Sequence, residues 1–202
     1  MAALQDFQLP SIVDVPDGWV ITWEFDELRS DEPVHVVRWE PEAPRTLGGE
    51  QVSVVFSRRD KRLISYRHAH LDPETVDAVD RGDATLLSRA ESSRTAEETM
   101  SAVDESVARR SVPMRIETQR RTWIGPTGTR VDIPVHWHKF AAPTGGFSWV
   151  TVGPRGAVIE YERDSQWDFM RSRRASEQWD HDGWIAAREG TGPQLESPAA
   201  LA

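Results

Sequence analysis

Residues Ile133–Tyr161 read IPVHWHKFAAPTGGFSWVTVGPRGAVIEY, and much of this stretch has been written once before. Val37-Arg38-Trp39-Glu40 is echoed 98 positions later by Val135-His136-Trp137-His138, and Val52–Tyr66 is echoed 95 positions later by Phe147–Tyr161. Each copy has a tryptophan-bearing strand, a loop, and a hairpin that ends in Ile-x-Tyr. The expected fold class is therefore α+β: a duplicated four-stranded antiparallel meander with helices packed on the sheets. An eight-stranded antiparallel barrel with flanking helices is the alternative architecture.

Period-two alternation, which marks half-buried strands, supplies the strands around this stretch. Trp19, Ile21, Trp23 and Phe25 alternate in Trp19–Phe25, and Val34–Glu40, Gln51–Ser57 and Arg62–His68 complete a first meander. The second is Met114–Ile124, Val131–Lys139, Phe147–Val152 and Ala157–Arg163. Pro134 has no N–H for a ladder, which predicts a sheet edge or a bulge at that point.

Between the meanders the period changes. Asp72-Pro73 predicts an N-capped helix through about Val79. Thr95 and Glu98 form a candidate capping box for a second helix, with the apolar stripe Ala96, Met100, Val103 and Val107, ending near Ser111. A last helix is expected over Asp164 to about Gln178. The organisation predicted is a leader (1–16), a first meander repeat (17–71), a helical connector (72–112), a second meander repeat (113–163), a C-terminal helical segment (164–189) and a disordered tail (190–202).

Composition narrows the function. The 202 residues include nine tryptophans, no cysteine and a net charge of −9, with a mean hydropathy of −0.56. Cysteine chemistry and disulfides are excluded. Residues 1–101 carry 20 acidic and 11 basic residues, while residues 102–202 carry 13 of each. That balance lacks the basic face nucleic-acid binding needs. No apolar run approaches the roughly 18 residues of a membrane span, and the N-terminus lacks the pattern of a secretory signal, so a cytoplasmic location is the expectation.

The hairpins "VSVVFSRRDKRLISYR" and "FSWVTVGPRGAVIEYER", with a helix before a short meander, resemble the PepSY-like group that includes the repeats of bacterial YcdB-type proteins. The layout is also similar to cystatin-like folds. The resemblance spans about residues 19–163 and implies a binding or inhibitory role without a catalytic residue set to carry over. Such families mostly act outside the cytoplasm, and this chain departs from them in lacking a secretion signal and a helix before the first meander.

Five of the six histidines lie in or beside the meanders. His68/His70 and His136/His138 are i, i+2 pairs that share a strand face, but the pairs do not align between the two copies, so no metal site is expected, and no cofactor. Glu160 and Glu162 read as solvated carboxylates on an outward face, and Arg171, Arg173 and Arg174 as a solvated helix face. No nucleophile elbow or phosphate-binding loop occurs. The residues where specific binding is expected are Tyr66, His68, His70, His136, His138, Trp149 and Arg155.

These readings point to a non-catalytic protein- or peptide-binding accessory protein of chaperone-like, inhibitor or immunity type. Its acidity suggests a partner with a basic surface. The alternative is a cofactor-free cyclase or isomerase holding a small hydrophobic ligand in an aromatic-lined pocket.

Overall fold

The computed structural model describes residues 4–142 and 145–202. Eight strands, β1 (Val20–Arg29), β2 (Glu32–Glu40), β3 (Gln51–Ser57), β4 (Leu63–Ala69), β5 (Val112–Ile124), β6 (Arg130–Ala141), β7 (Phe147–Val152) and β8 (Val158–Ser165), form one antiparallel sheet in the order β1-β2-β3-β4-β8-β7-β6-β5. The edge strands β1 and β5 do not pair, so the sheet is open and the barrel alternative is ruled out. The two runs of strands meet at β4 and β8, where Tyr66 lies opposite Tyr161.

Register overturns most of the internal echo. Trp39 pairs with Val52 on one face of the sheet, whereas Trp137 pairs with Thr151 on the other. Ser53, opposite Arg67, and Ser148, opposite Phe140, are likewise on opposite faces. Side chains alternate with period two, so a one-residue slip between otherwise similar strands turns every side chain over. Bulges between Phe147 and Trp149 and between Thr151 and Val152 introduce such slips. Of these echoed pairs, the two tyrosines keep a common face.

Two helices, α1 (Pro73–Asp80) and α2 (Arg89–Ala108), link the strand runs. Asp72 caps α1, accepting from the Thr75 amide at 2.9 Å. The start of α2 differs from expectation. Ser88 and Glu91 make the capping box seven residues before its predicted start, and Thr95 lies inside the helix, its hydroxyl donating to the Glu91 carbonyl at 3.3 Å. The predicted stripe is buried: Ala96, Met100 and Val107 are buried, with Val103 partly so, against Val54, Tyr66, Val150 and Tyr161, but the helix is not continuous, because Asp104 at φ −154 and ψ 96 kinks it before Val107. The N-terminal segment belongs to this same core and is not a loose leader. Phe7 is buried and stacks on His35 and Phe56, with centroids 4.8 and 4.9 Å away.

The expected helix over residues 164–178 does not form. β8 runs to Ser165, and β9 (Trp167–Asp168) pairs with β10 (Arg173–Arg174) as a small hairpin. Asp164 and Ser172 sit at φ +54 and +51, the left-handed region that no right-handed helix admits. The Asp168 carboxylate closes the turn by accepting from the Met170 and Arg171 amides, each at 3.0 Å. A shorter helix, α3 (Asp182–Arg188), follows. The tail, expected to be disordered, folds back: Ala200 is buried and its amide donates to Gln178 Oε1 at 2.8 Å.

Trp179, Trp184, Ile185 and Ala200 thus form a second core with Val34, Val36, Val55 and Ile64, on the face of β2–β4 opposite α2. Asp182 fastens it by pairing with Arg38 and by accepting from the Gly48 amide at 2.8 Å. The same loop holds the tip of the β5–β6 hairpin, through a bond of 2.8 Å from the Ile124 amide to the Gly48 carbonyl. Pro134 lies in the part of β6, before His136, that has β5 alone as a registered neighbour, which meets the edge condition. No helix among the described residues is long and apolar enough to cross a membrane.

Candidate binding cleft

Residues directly opposite one another in a sheet share a face, and two cross-strand rows on the face away from α2 build a site. One row runs Ser65, Glu162, Trp149, Lys139, Arg115, and the next runs Arg67, Glu160, Thr151, Trp137, Glu117. The C-terminal segment covers this face over β2–β4 but leaves it open over β6–β8. The result is a cleft of about 670 Å³, walled by β5 on one side and by the segment around Trp167, Asp180, His181 and Glu196 on the other.

The floor carboxylates are not solvated. Glu160 accepts from Arg121 Nε at 2.8 Å, from Arg67 Nη1 at 3.0 Å and from the Thr151 hydroxyl at 2.6 Å. Burial acts to raise its pKa, but Arg121 and Arg67 outweigh it and hold the group at about 2. Glu162 is buried between Arg29, at 2.6 Å, and Arg174. Burial pushes its pKa up, with Arg174 and Arg29 acting against that. Arg174 is therefore a buried counter-ion on a strand and not part of a solvated helix face.

The wall is aromatic and cationic. Trp137 and Trp149 lie 6.1 Å apart, and the Arg174 guanidinium stands 5.4 Å over Trp149. The Lys139 ammonium sits 3.4 Å from the Phe147 ring centroid, and 5.7 and 5.8 Å from those of Trp137 and Trp167. Burial first, then Arg115, lowers the pKa of this lysine. His181 is pulled down to about 4 by burial and then by Arg67. Arg121 and Arg67 thus hold Glu160 as a carboxylate, while burial favours the neutral imidazole of His181.

Of the seven residues expected to bind, Trp149 lines this cleft and the other six do not. Tyr66 is buried in the core under α2. His68 stacks loosely between Tyr66 and His70, with ring centroids 5.9 Å from each, and burial followed by His70 lowers it to about 4. His70 bonds Glu50 at 2.9 Å and meets the edge of Trp19. His138 packs under α2 against the Ser92 hydroxyl at 2.7 Å, its pKa lowered to about 4 by burial and then by His136. His136 is buried beside it. His68 on β4, with His70 just past its end, is separated from His136 and His138 on β6 by β8 and β7. No group of three or more metal-ligating side chains gathers among the described residues. Arg155, at φ +56 in the β7–β8 turn, pairs with Glu74 of α1 at 2.6 Å.

Sequence reasoning missed Arg67, Arg121, Trp137, Lys139, Glu160 and Trp167. A signal was present in β5, where Arg115, Glu117, Gln119 and Arg121 alternate and so lie on one strand face. Which strand faced them was decided by the pairing. The fold and site together define an open-sheet α+β protein with a surface cleft of mixed aromatic and ionic character. Comparison with protein-family models, with curated proteins and with solved structures finds no match for this chain.

Proposed function

We propose that this chain is a non-catalytic protein- or peptide-binding accessory protein, of chaperone-like, inhibitor or immunity type, and that the cleft over β6–β8 holds a segment of its partner. The observation that carries this reading is the state of the charges in the cleft. Glu160 and Glu162 are each clamped by two arginines, while the aromatic wall beside them stays open to solvent on one side. Fixed ion pairs set a rigid floor, and indole faces give contact area at little entropic cost, as in binding surfaces generally. A binding role also agrees with what the resemblance to PepSY-like and cystatin-like repeats implies.

Affinity capture from the native host, with the wild-type chain beside a Trp137→Ala, Trp149→Ala double variant, tests the reading. A partner retained by the first and lost by the second supports it; equal recovery by both would remove the cleft from the account. The alternative, a cofactor-free cyclase or isomerase, is favoured by the cleft volume, which falls in the range of small-molecule sites. The engagement of Glu160 and Glu162 by two arginines each favours binding over an acid–base isomerisation.

A further inference from the structure

We infer that the occupant of the cleft is an extended acidic peptide segment of a protein partner, in which a carboxylate adjacent to a large apolar side chain is seated on Lys139. The inference rests on the reading of the cleft as a partner site and adds the chemistry of what enters it. Arg67 and Arg121 are engaged by Glu160, and Arg174 by Glu162. Lys139 differs from them: ring faces surround it, and the carboxylate that attracts it, Glu117, is itself engaged by Arg115 at 2.8 Å and Gln119 at 2.7 Å, so that among the described residues no ion pair or hydrogen bond joins Lys139 to an acceptor. Ring quadrupoles compensate a half-buried ammonium only in part, and an incoming carboxylate would complete it with a charge-assisted bond.

Two further features favour a peptide over a simple carboxylic acid. The opposite wall carries the carboxylates of Asp180 and Glu196, which repel a second anion but accept from backbone N–H groups of an extended chain. At the end of the cleft near Lys139, Phe169 packs edge-on to Phe147 at 6.4 Å, and Phe169 and Met170 remain 69% and 95% exposed. This apolar lip suits the side chain next to the seated carboxylate. Charge complementarity to Lys139 therefore selects an acidic segment, opposite in sign to the basic partner that net charge suggests.

The test is fluorescence anisotropy on the full chain with three dye-labelled, end-blocked hexapeptides that differ at one position: Gly-Phe-Asp-Leu-Gly-Phe, its counterpart with asparagine for the aspartate, and its counterpart with lysine for the aspartate. The acidic peptide is expected to bind about tenfold or more tighter than the asparagine peptide, the size of one charge-assisted bond, and the lysine peptide weaker still. Lys139→Met should reduce the acidic peptide to the level of the asparagine one, and Lys139→Glu should reverse the order, with circular dichroism unchanged in both. Equal binding of all three peptides, abolished by Trp149→Ala, would leave the cleft as a binding site and overturn the acidic preference. Displacement of the acidic peptide by free phenylacetate at matching affinity would overturn the peptide occupant. Binding of none of the three, with capture of a cleft-dependent partner intact, would overturn this inference and leave the proposed function standing.

Discussion

At the scale of single residues, buried ionisable groups set how the protein responds to pH and to substitution. His68, His138 and His181 are held neutral to about pH 4 by burial, whereas the unfolded chain protonates them near the ordinary value of about 6.5. The unfolded state therefore binds more protons between those values, and stability falls as pH drops through the window, by at most about 1.4 kcal/mol per pH unit for each group. Glu160 and Asp104, depressed to about 2, extend the loss below pH 4, because their stabilising charge is present above the unfolded pKa and lost as pH falls. Urea midpoints are expected to decline from pH 7 to pH 4.5. His138→Gln should flatten that decline, and an unchanged slope would remove His138 from the account. Glu162→Ala, which leaves the guanidiniums of Arg29 and Arg174 buried without their shared carboxylate, should cost about 3–5 kcal/mol in the same assay.

At the scale of elements, the C-terminal segment behaves as part of the core although its sequence has tail-like composition. Trp184 is fully buried, its indole N–H donating to the Leu201 carbonyl at 3.1 Å, and it packs edge-on against Trp179 at 4.8 Å. Trp184→Ala should destabilise by about 3–5 kcal/mol, as expected for emptying a large aromatic site, measured as a lower urea midpoint. The start of α2 offers a contrast in size. Ser88→Ala removes an exposed N-cap and should cost about 1 kcal/mol, with Thr95→Ala close to neutral, because Ser88 and not Thr95 satisfies the first turn. Comparing the two by thermal melts decides which capping box operates.

At the scale of the whole molecule, one hydrophobic cluster contains Val54 and Tyr66 from the first strand run and Val150 and Tyr161 from the second, so the halves share a core across β4 and β8. Unfolding is expected to be a single transition, with far-ultraviolet circular dichroism and tryptophan emission coinciding. Two separated transitions would show instead that the strand runs are independent domains.

Much of the architecture was legible in the order of residues. Runs rich in β-branched and aromatic residues, alternating where one face is more exposed, located the eight long strands, although β2 and β3 are buried on both faces, and Asp72-Pro73 marked α1 through its own capping chemistry. The α2 stripe was legible because half-burial of a helix imposes its pattern locally. The start of α2 was not, since Ser88-x-x-Glu91 and Thr95-x-x-Glu98 both fit a capping box and only packing chose between them. The hairpin after Asp164 was hidden because left-handed dihedrals at Asp164 and Ser172 follow from neighbouring chain and not from residue type. The cleft was the least legible part. Sequence places Glu160, Glu162, Lys139 and Trp149 on strands, but register decides that they lie in two adjacent rows on one face, and bulges set that register. Sequence alone determined where the eight long strands and the first two helices lie and that the chain is rich in indole; tertiary structure decided the fold of the segment after Ser165 and which faces meet, because pairing partners far apart in the chain fix the side on which each residue emerges.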